Sequence, residues 1–245
     1  MYPYLHVFGL EIGTFYVFVF IASCAMLCTA LMMNKGHEKF LFSKILVSGI
    51  AAFFGSAIYD SLFKIAERGA FVLDGMAFYG GLIGSAAMFY VLVKGDKRSA
   101  FTPLEWLDRM VIPFCVFCVF GRLGCFFGGC CYGMESDSFL AVRFPDNIEK
   151  GILHHGNACL PTQLFECAGV AFLILLFVFV IKKERFMWYI TLYPMIRFVL
   201  EFFRGDNRGS FSGILSPAQF TSLIILIIPA VYFTEKSIKK RQYNE

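Results

Sequence analysis

Seven apolar runs, each about 20 residues long and separated by short polar joints, constrain the fold of this chain more than any other feature. The composition agrees, because 58% of the residues are hydrophobic and only 16% are charged. A soluble domain of 245 residues would need more polar residues to cover its surface. We therefore predict an all-α polytopic membrane protein in which residues 1–245 form a single transmembrane domain. The predicted spans are 12–33, 41–62, 71–93, 107–127, 162–181, 186–203 and 214–233.

Basic residues occupy alternate joints between these runs, and the positive-inside rule assigns such joints to the cytoplasm. The pattern predicts an N-terminus outside and a cytoplasmic C-terminus. No basic segment precedes the first apolar run, so we predict no cleaved signal peptide. The longest outer joint, at about 128–161, is predicted to form a small arm or cap. The chain contains no basic stripe typical of nucleic-acid binding, so we expect no nucleic-acid partner. The basic residues are Lys35, Lys39, Lys44, Lys94, Lys97, Arg98, Lys182, Lys183, Arg185, Lys236, Lys239, Lys240 and Arg241.

Six polar side chains lie near the predicted outer ends of spans four to six, at a depth where ionisable groups are costly. They could join helices through ion pairs, or the arginines could extend to the interface. They could also form a lipid-headgroup pocket, since the planar arginine fork suits a phosphodiester. We favour the pocket, because several charged groups are predicted at one depth. These residues are Arg122, Gln163, Glu166, Arg197, Glu201 and Arg204.

Glycines and tyrosines at the same predicted level allow two interpretations. In "DGMAFYGGLIG", Gly80 and Gly81 could allow close helix packing or a close approach of lipid. The same alternatives apply to Gly121 and Gly124 of "GRLGCFFGGCCYG". Tyr16 and Tyr79 could be interfacial anchors or hydrogen-bond partners of a headgroup.

The nine cysteines fall into two groups. Those inside spans are expected to behave as small buried hydrophobic residues. Those near the outer surface could form a disulfide, in particular Cys130 or Cys131 with Cys159. A zinc site with His154 and His155 matches no regular spacing, so we predict no metal and no cofactor. The span cysteines are Cys24, Cys28, Cys115 and Cys118, and the outer ones are Cys125, Cys130, Cys131, Cys159 and Cys167.

Several ordered motifs resemble the prolipoprotein diacylglyceryl transferase family. "GRLGCFFGGCCYG" is similar to the family signature, with Arg122 in the place of the essential arginine. "GLEIGTFY" resembles the segment with the first-helix tyrosine, at Tyr16, and "DGMAFYGGLIG" the glycine-rich histidine segment. "PTQLFE", "RFVLEFFRGD" with Arg204, and "SPAQFTSL" with Gln219 resemble later conserved blocks.

The resemblance implies a bacterial multi-pass plasma-membrane enzyme. Such an enzyme moves the diacylglyceryl group of phosphatidylglycerol to the lipobox cysteine of a prolipoprotein signal peptide and releases glycerol phosphate. Membrane lipids and that signal peptide are the implied partners. The implied catalytic residues are Arg122, Arg204, Tyr79 and Glu201. The implied donor-binding residues are Tyr16, Gly80, Gly81, Gly121, Gly124, Cys125, Gln163, Glu166, Arg197 and Gln219.

The chain departs from the family pattern at four positions. Tyr79 stands at the histidine position, Cys125 and Gly128 stand at asparagine positions, and Cys130 stands at a glutamate position. A neutral phenol is a weak general base unless a neighbouring cation favours its phenolate, so Glu201 and Glu166 are alternatives. Two other functions therefore stay open, namely transfer from the same donor to a different acceptor, and lipid binding without catalysis.

Overall fold

The computed structural model describes residues 3–7, 10–68, 75–145, 156–205 and 215–244. Within these residues the chain forms seven α-helices and two short antiparallel sheets, which confirms the all-α prediction. The sheets are β1 (Tyr4–Val7) with β2 (Leu10–Gly13), and β3 (Val142–Arg143) with β4 (Ala158–Cys159). The helices are α1 (Thr14–Met33), α2 (Glu38–Arg68), α3 (Phe78–Lys94), α4 (Pro103–Phe127), α5 (Thr162–Phe179), α6 (Arg185–Glu201) and α7 (Pro217–Asn244).

Five helices of the described chain, α1, α2, α4, α5 and α7, are long and apolar enough to cross a bilayer. The apolar helix α3 and the helix α6 each have only 17 residues. Large apolar side chains point outward on the long helices, for example Phe20, which is 70% exposed, and Ile227, which is 60% exposed. Such surfaces are stable in lipid and costly in water, so the chain is a multi-pass membrane protein.

The chain divides into two compact units. The first unit contains Met1–Ser43, Arg109–Lys182 and Val199–Asn207. The second unit contains Lys44–Asp108, Lys183–Phe198 and Arg208–Glu245.

In the first unit, α1 packs closely against the end of α4. The rings of Phe18 and Phe127 stack with centroids 5.1 Å apart. A Cβ atom on Gly124 would lie 2.7 Å from the Cβ of Phe18, so only glycine allows this approach. Helix α5 also contacts α4, because the Cys167 thiol donates to the carbonyl of Val119 at 3.3 Å.

The chain after α4 is held by main-chain hydrogen bonds on both sides. The Gly133 amide donates to the carbonyl of Leu160 at 2.8 Å, and the Met134 amide donates to that of Phe203 at 2.9 Å. Gly133 also forms an antiparallel bridge with Arg204. Inside the first unit, this segment is therefore hydrogen-bonded both to the residues just before α5 and to those just after α6. It begins the predicted outer arm, of which residues 146–155 lie outside the described residues.

In the second unit, glycines bring α2 and α3 together. A Cβ on Gly55 would lie 2.6 Å from the carbonyl oxygen of Gly80, and one on Gly84 would lie 2.7 Å from that of Ala51. Small residues at such positions let membrane helices approach backbone to backbone. Helix α7 is joined to α2 through a hydrogen bond between the hydroxyls of Tyr59 and Thr221.

The joints predicted to be cytoplasmic make contacts with one another within each unit. In the second unit, Lys44 forms a 2.8 Å salt bridge with Asp96, and Lys236 pairs with Glu184. In the first unit, Arg109 at the start of α4 donates to Asn34, which follows α1, at 3.2 Å. Each contact joins two helix ends that the charge pattern places on the same side of the membrane.

Candidate functional site

A buried ion pair joins α4 to α5 in the first unit. Nη2 of Arg122 lies 2.8 Å from Oε1 of Glu166. Both side chains are nearly inaccessible, since Arg122 is 7% exposed and Glu166 is 3% exposed. A buried charge needs a partner of opposite sign, because removing either partner leaves an uncompensated charge. The sequence predicted both residues for the site, and the structure brings them into contact.

The first turn of α5 binds the chain that follows α4. Nε2 of Gln163 donates to the Cys130 carbonyl at 2.8 Å, and Oγ1 of Thr162 donates to the Cys131 carbonyl at 2.9 Å. Gln163 is 1% exposed. Its Oε1 is buried and receives no hydrogen bond from the described residues. Because Gln163 precedes Glu166 by one helical turn, this acceptor lies on the same side of α5 as the ion pair.

The second predicted arginine lies where α6 ends. Arg204 follows Glu201, the last residue of α6, and its backbone bridges to Gly133. Main-chain pairing therefore links the signature segment to the segment that carries Arg204. In the second unit, Arg197 is buried on α6, with 3% of its surface exposed.

The Tyr79 hydroxyl takes part in a series of hydrogen bonds inside the second unit. Its hydroxyl lies 2.6 Å from Oγ of Ser222, and Ser222 donates its own proton to the Ala218 carbonyl at 2.7 Å. A hydroxyl has one proton to donate, so Tyr79 is the donor to Ser222. The aromatic ring of Tyr193 packs against the Tyr79 ring, with centroids 6.2 Å apart. Tyr79 therefore connects α3 to α7.

Two further predicted residues have different surroundings. Gln219 forms a capping box at the start of α7: its Oε1 accepts from the Ser216 amide at 3.0 Å, and its own amide donates to Oγ of Ser216 at 3.2 Å. Tyr16 lies on α1 and is 65% exposed.

The four predicted glycines differ in the space around them. The Gly80 backbone packs against that of Gly55 and needs the absence of a side chain, as Gly124 does against Phe18. A Cβ on Gly81 would make an ordinary 3.4 Å contact, and a Cβ on Gly121 would meet no atom within 4 Å. Helix packing therefore accounts for Gly80 and Gly124 but not for Gly121.

All nine cysteines lie in the described part of the chain and are present as thiols. Neither Cys130 nor Cys131 forms a disulfide with Cys159, so that alternative is wrong for this structure. The Cys159 thiol instead points to the carbonyl of Asn157 at 3.9 Å. Burial, and then the Glu135 carboxylate, raise the pKa of the Cys159 thiol, so it stays protonated. His154 and His155, considered for a zinc site, lie outside the described residues, as does Asp74 at the start of "DGMAFYGGLIG".

The thiols of Cys125, Cys130 and Cys131 come together, with their sulfur atoms within 4.8 Å of one another. Cys131 has a positive φ of 66°. That left-handed conformation costs a residue other than glycine about 1 kcal/mol. The backbone is therefore held in a costly conformation where the thiols meet.

The sequence alone missed three residues that organise these surroundings. Thr162 fixes the carbonyl of Cys131, Ser222 accepts from Tyr79, and Gly133 pairs with Arg204. Thr162 and Ser222 lie inside the motifs "PTQLFE" and "SPAQFTSL", close to the predicted site residues Gln163 and Gln219. Gly133 ends the signature segment, but nothing in its sequence surroundings indicates its pairing partner.

Comparisons with known proteins match the chain over nearly its full length. A family model described as prolipoprotein diacylglyceryl transferase matches residues 4–234. The chain is 29% identical to phosphatidylglycerol–prolipoprotein diacylglyceryl transferase 2 of Clostridium perfringens, over 96% of this chain and 95% of that protein. It is 29% identical to the phosphatidylglycerol–prolipoprotein diacylglyceryl transferase of Clostridium tetani, over 96% and 97% of the two chains. The protein of the same description from Clostridium botulinum strain Loch Maree is 26% identical, over 97% of each chain.

Proposed function

The chain belongs to the prolipoprotein diacylglyceryl transferase family, and on this basis we propose that it transfers the diacylglyceryl group of phosphatidylglycerol to the lipobox cysteine of a prolipoprotein. The observation that carries the assignment to this site is the buried pair of Arg122 and Glu166, 2.8 Å apart. The donor is an anionic lipid whose phosphate becomes the leaving group. A buried guanidinium held by a carboxylate is suited to binding that phosphate.

The reaction forms one bond and breaks one bond. The lipobox sulfur attacks the glycerol carbon that carries the phosphate and forms a thioether. The carbon–oxygen bond to the phosphate breaks, and its electron pair leaves on glycerol phosphate. Negative charge grows on the departing phosphate, so a guanidinium placed there stabilises the transition state more than the ground state. We assign Arg122 this role and Arg204 a second contact with the same group.

Gln163 supports a preference for a donor with a hydroxylated headgroup. Its Oε1 is buried and receives no donor from the described residues, although its Nε2 is fixed on the Cys130 carbonyl. A buried acceptor without a donor is costly, and a glycerol hydroxyl would supply one. We propose that Gln163 accepts a hydrogen bond from the glycerol headgroup of phosphatidylglycerol.

The acceptor thiol must lose its proton before it attacks. Glu166 already neutralises Arg122, and the Tyr79 proton is donated to Ser222. Glu201 at the end of α6 is therefore our candidate for the general base. Tyr79 stays a candidate for orienting the donor, as the family resemblance implies.

We propose that all seven helices cross a bacterial plasma membrane, with the N-terminus outside and the C-terminus in the cytoplasm. The 17 residues of α3 or α6 extend about 25 Å, slightly less than a hydrocarbon core of about 30 Å. Modest thinning of the bilayer accommodates such a difference. The contact of Lys44 with Asp96 and that of Lys236 with Glu184 support a shared cytoplasmic side for these helix ends.

The test uses the purified full chain in vesicles that contain phosphatidylglycerol labelled in its diacylglyceryl group. A lipobox peptide is added, and thioether formation is followed by mass spectrometry. We expect a diacylglyceryl peptide and one glycerol phosphate per turnover. Glycerol phosphate without a modified peptide would assign a different acceptor, and the absence of both products would overturn the proposed function.

A further inference from the structure

Three cysteine side chains converge at the point where α4 ends. Cys125 lies in the last turn of α4, and Cys130 and Cys131 follow after the turn at Gly129. Their sulfur atoms all lie within 4.8 Å of one another. The steps assigned above use none of these thiols, although the family resemblance implies Cys125 for donor binding. We propose that Cys125, Cys130 and Cys131 form a binding site for a soft metal cation, of the Zn²⁺ or Cu⁺ type, coordinated by three thiolates.

The separation of the sulfur atoms suits such a cation. A zinc ion with sulfur ligands at about 2.3 Å holds them about 3.8 Å apart in tetrahedral geometry. The observed separations therefore require a contraction of about 1 Å or less. Thiolate ligands select Zn²⁺ and Cu⁺ over the hard cations Mg²⁺ and Ca²⁺. Within the described residues, no fourth Cys, His, Asp or Glu joins the group, so a water molecule would complete a zinc site.

Backbone contacts fix the three thiols before any ion binds. The Cys130 amide donates to the Cys125 carbonyl at 3.1 Å, which closes the loop onto the end of α4. Gln163 and Thr162 hold the carbonyls of Cys130 and Cys131 from α5. Gly129 has a φ of 68° and Cys131 one of 66°, so the backbone is held in left-handed conformations where the chain turns. A preorganised donor set loses less conformational entropy on binding.

The helix dipole at the end of α4 and the partial solvent exposure of two of the thiols also favour the binding of a cation. The three thiols lie at the C-terminal end of α4, where the helix dipole favours positive charge. Cys125 is buried, whereas Cys130 and Cys131 are partly accessible, so an ion can enter from their side. Binding would release the thiol protons to solvent and tighten as the pH rises. The site would stabilise the same loop in which the family pattern has asparagine and glutamate.

The test is metal binding by the full chain, purified in detergent without oxygen. Zn²⁺ is titrated and counted by elemental analysis, and Cd²⁺ is titrated as a spectroscopic substitute that shows thiolate charge-transfer absorption. We expect one equivalent of bound metal, and protection of three thiols from alkylation. A Cu⁺ titration distinguishes the two ion types, and uptake of either supports a three-thiolate site.

Three substitutions, Cys125→Ser, Cys130→Ser and Cys131→Ser, should each weaken Zn²⁺ binding by more than about 100-fold. The matched control is the double variant Cys24→Ser with Cys28→Ser on α1, which should bind one equivalent with unchanged affinity. Equal affinity in the Cys130→Ser variant, or no uptake by the wild-type chain, would overturn the proposal. So would a disulfide within the trio in the anaerobic protein. Alkylation protection in the wild type needs no substitution, so the test holds even where a variant fails to fold.

Discussion

Nη2 of Arg122 and Oε1 of Glu166 lie 2.8 Å apart, and this salt bridge is the buried charged connection between α4 and α5 from which the proposed chemistry starts. An ion pair with so little exposure can be structural, catalytic or both. Substitutions at Arg122 and Glu166 can distinguish these roles when their effects on stability and on turnover are measured separately.

Removal of the arginine should abolish turnover. We expect Arg122→Ala to lower kcat by at least about 100-fold, because the leaving phosphate loses its charge partner. Arg122→Lys should recover only part of the rate, since an ammonium group cannot replace the planar fork. Thioether formation per unit time is the measurement, and Cys24→Ala on α1 is the control that should be nearly silent. Unchanged turnover in Arg122→Ala would eliminate the phosphate-binding role.

Removal of the carboxylate alone should destabilise the protein. We expect Glu166→Gln to lower the free energy of unfolding by about 3 kcal/mol, because the buried Arg122 guanidinium loses the carboxylate with which it forms a salt bridge. The double variant Arg122→Met with Glu166→Met should recover most of this stability and none of the activity. Thermal unfolding in detergent together with the transfer assay separates the two effects. A double variant as unstable as Glu166→Gln would contradict this account.

Two glycines in one motif should respond differently to alanine. Gly124→Ala should destabilise by about 1–3 kcal/mol, because its Cβ would lie 2.7 Å from that of Phe18. Gly121→Ala meets no atom within 4 Å and should be neutral or slightly stabilising. Unfolding temperatures measure both. A Gly121→Ala variant that folds normally but loses activity would indicate that the lipid donor approaches the backbone at Gly121. Full activity in this variant would show that Gly121 is not a donor-binding residue.

The hydrogen bond of Tyr79 to Ser222 should contribute modestly to stability. We expect Tyr79→Phe and Ser222→Ala each to cost about 1 kcal/mol in the free energy of unfolding. Only Tyr79→Phe should also slow transfer, since the proposed orienting group is its hydroxyl. Equal turnover in both variants would restrict Tyr79 to joining α3 and α7.

The loop after α3 should give a pH-dependent contribution to stability. The Arg98 guanidinium, and then the Lys44 ammonium, hold the pKa of Asp96 well below its usual range. The pKa in the folded state is lowered, so this contribution is complete above the unfolded value of about 3.9 and is lost as the pH falls towards the folded value. The unfolding temperature of Asp96→Asn should therefore be below that of the wild type at pH 7, and the difference should shrink below about pH 4. Arg98→Ala should show a smaller difference of the same sign. A difference independent of pH would contradict an ionic origin.

The sequence by itself determined the membrane class, the approximate bounds of the helices and the family. These properties depend on hydropathy and motif order, which are local along the chain. The predicted span 162–181 corresponds to α5 (Thr162–Phe179), and the predicted span 12–33 to α1 (Thr14–Met33). The i, i+3 spacing of Gln163 and Glu166 also indicated that these two side chains share one side of a helix.

Tertiary structure decided which of these side chains meet. The pairing of Arg122 with Glu166 depends on how α4 and α5 pack and rotate, and no periodicity within one helix specifies that rotation. The outer cysteines show the same limit, because the sequence allowed a disulfide of Cys130 or Cys131 with Cys159 but could not specify the pairing. The turn at Gly129 and the hydrogen bond from Gln163 instead bring Cys130 to Cys125. Contacts between segments distant in sequence arise from packing, so only the folded chain reveals them.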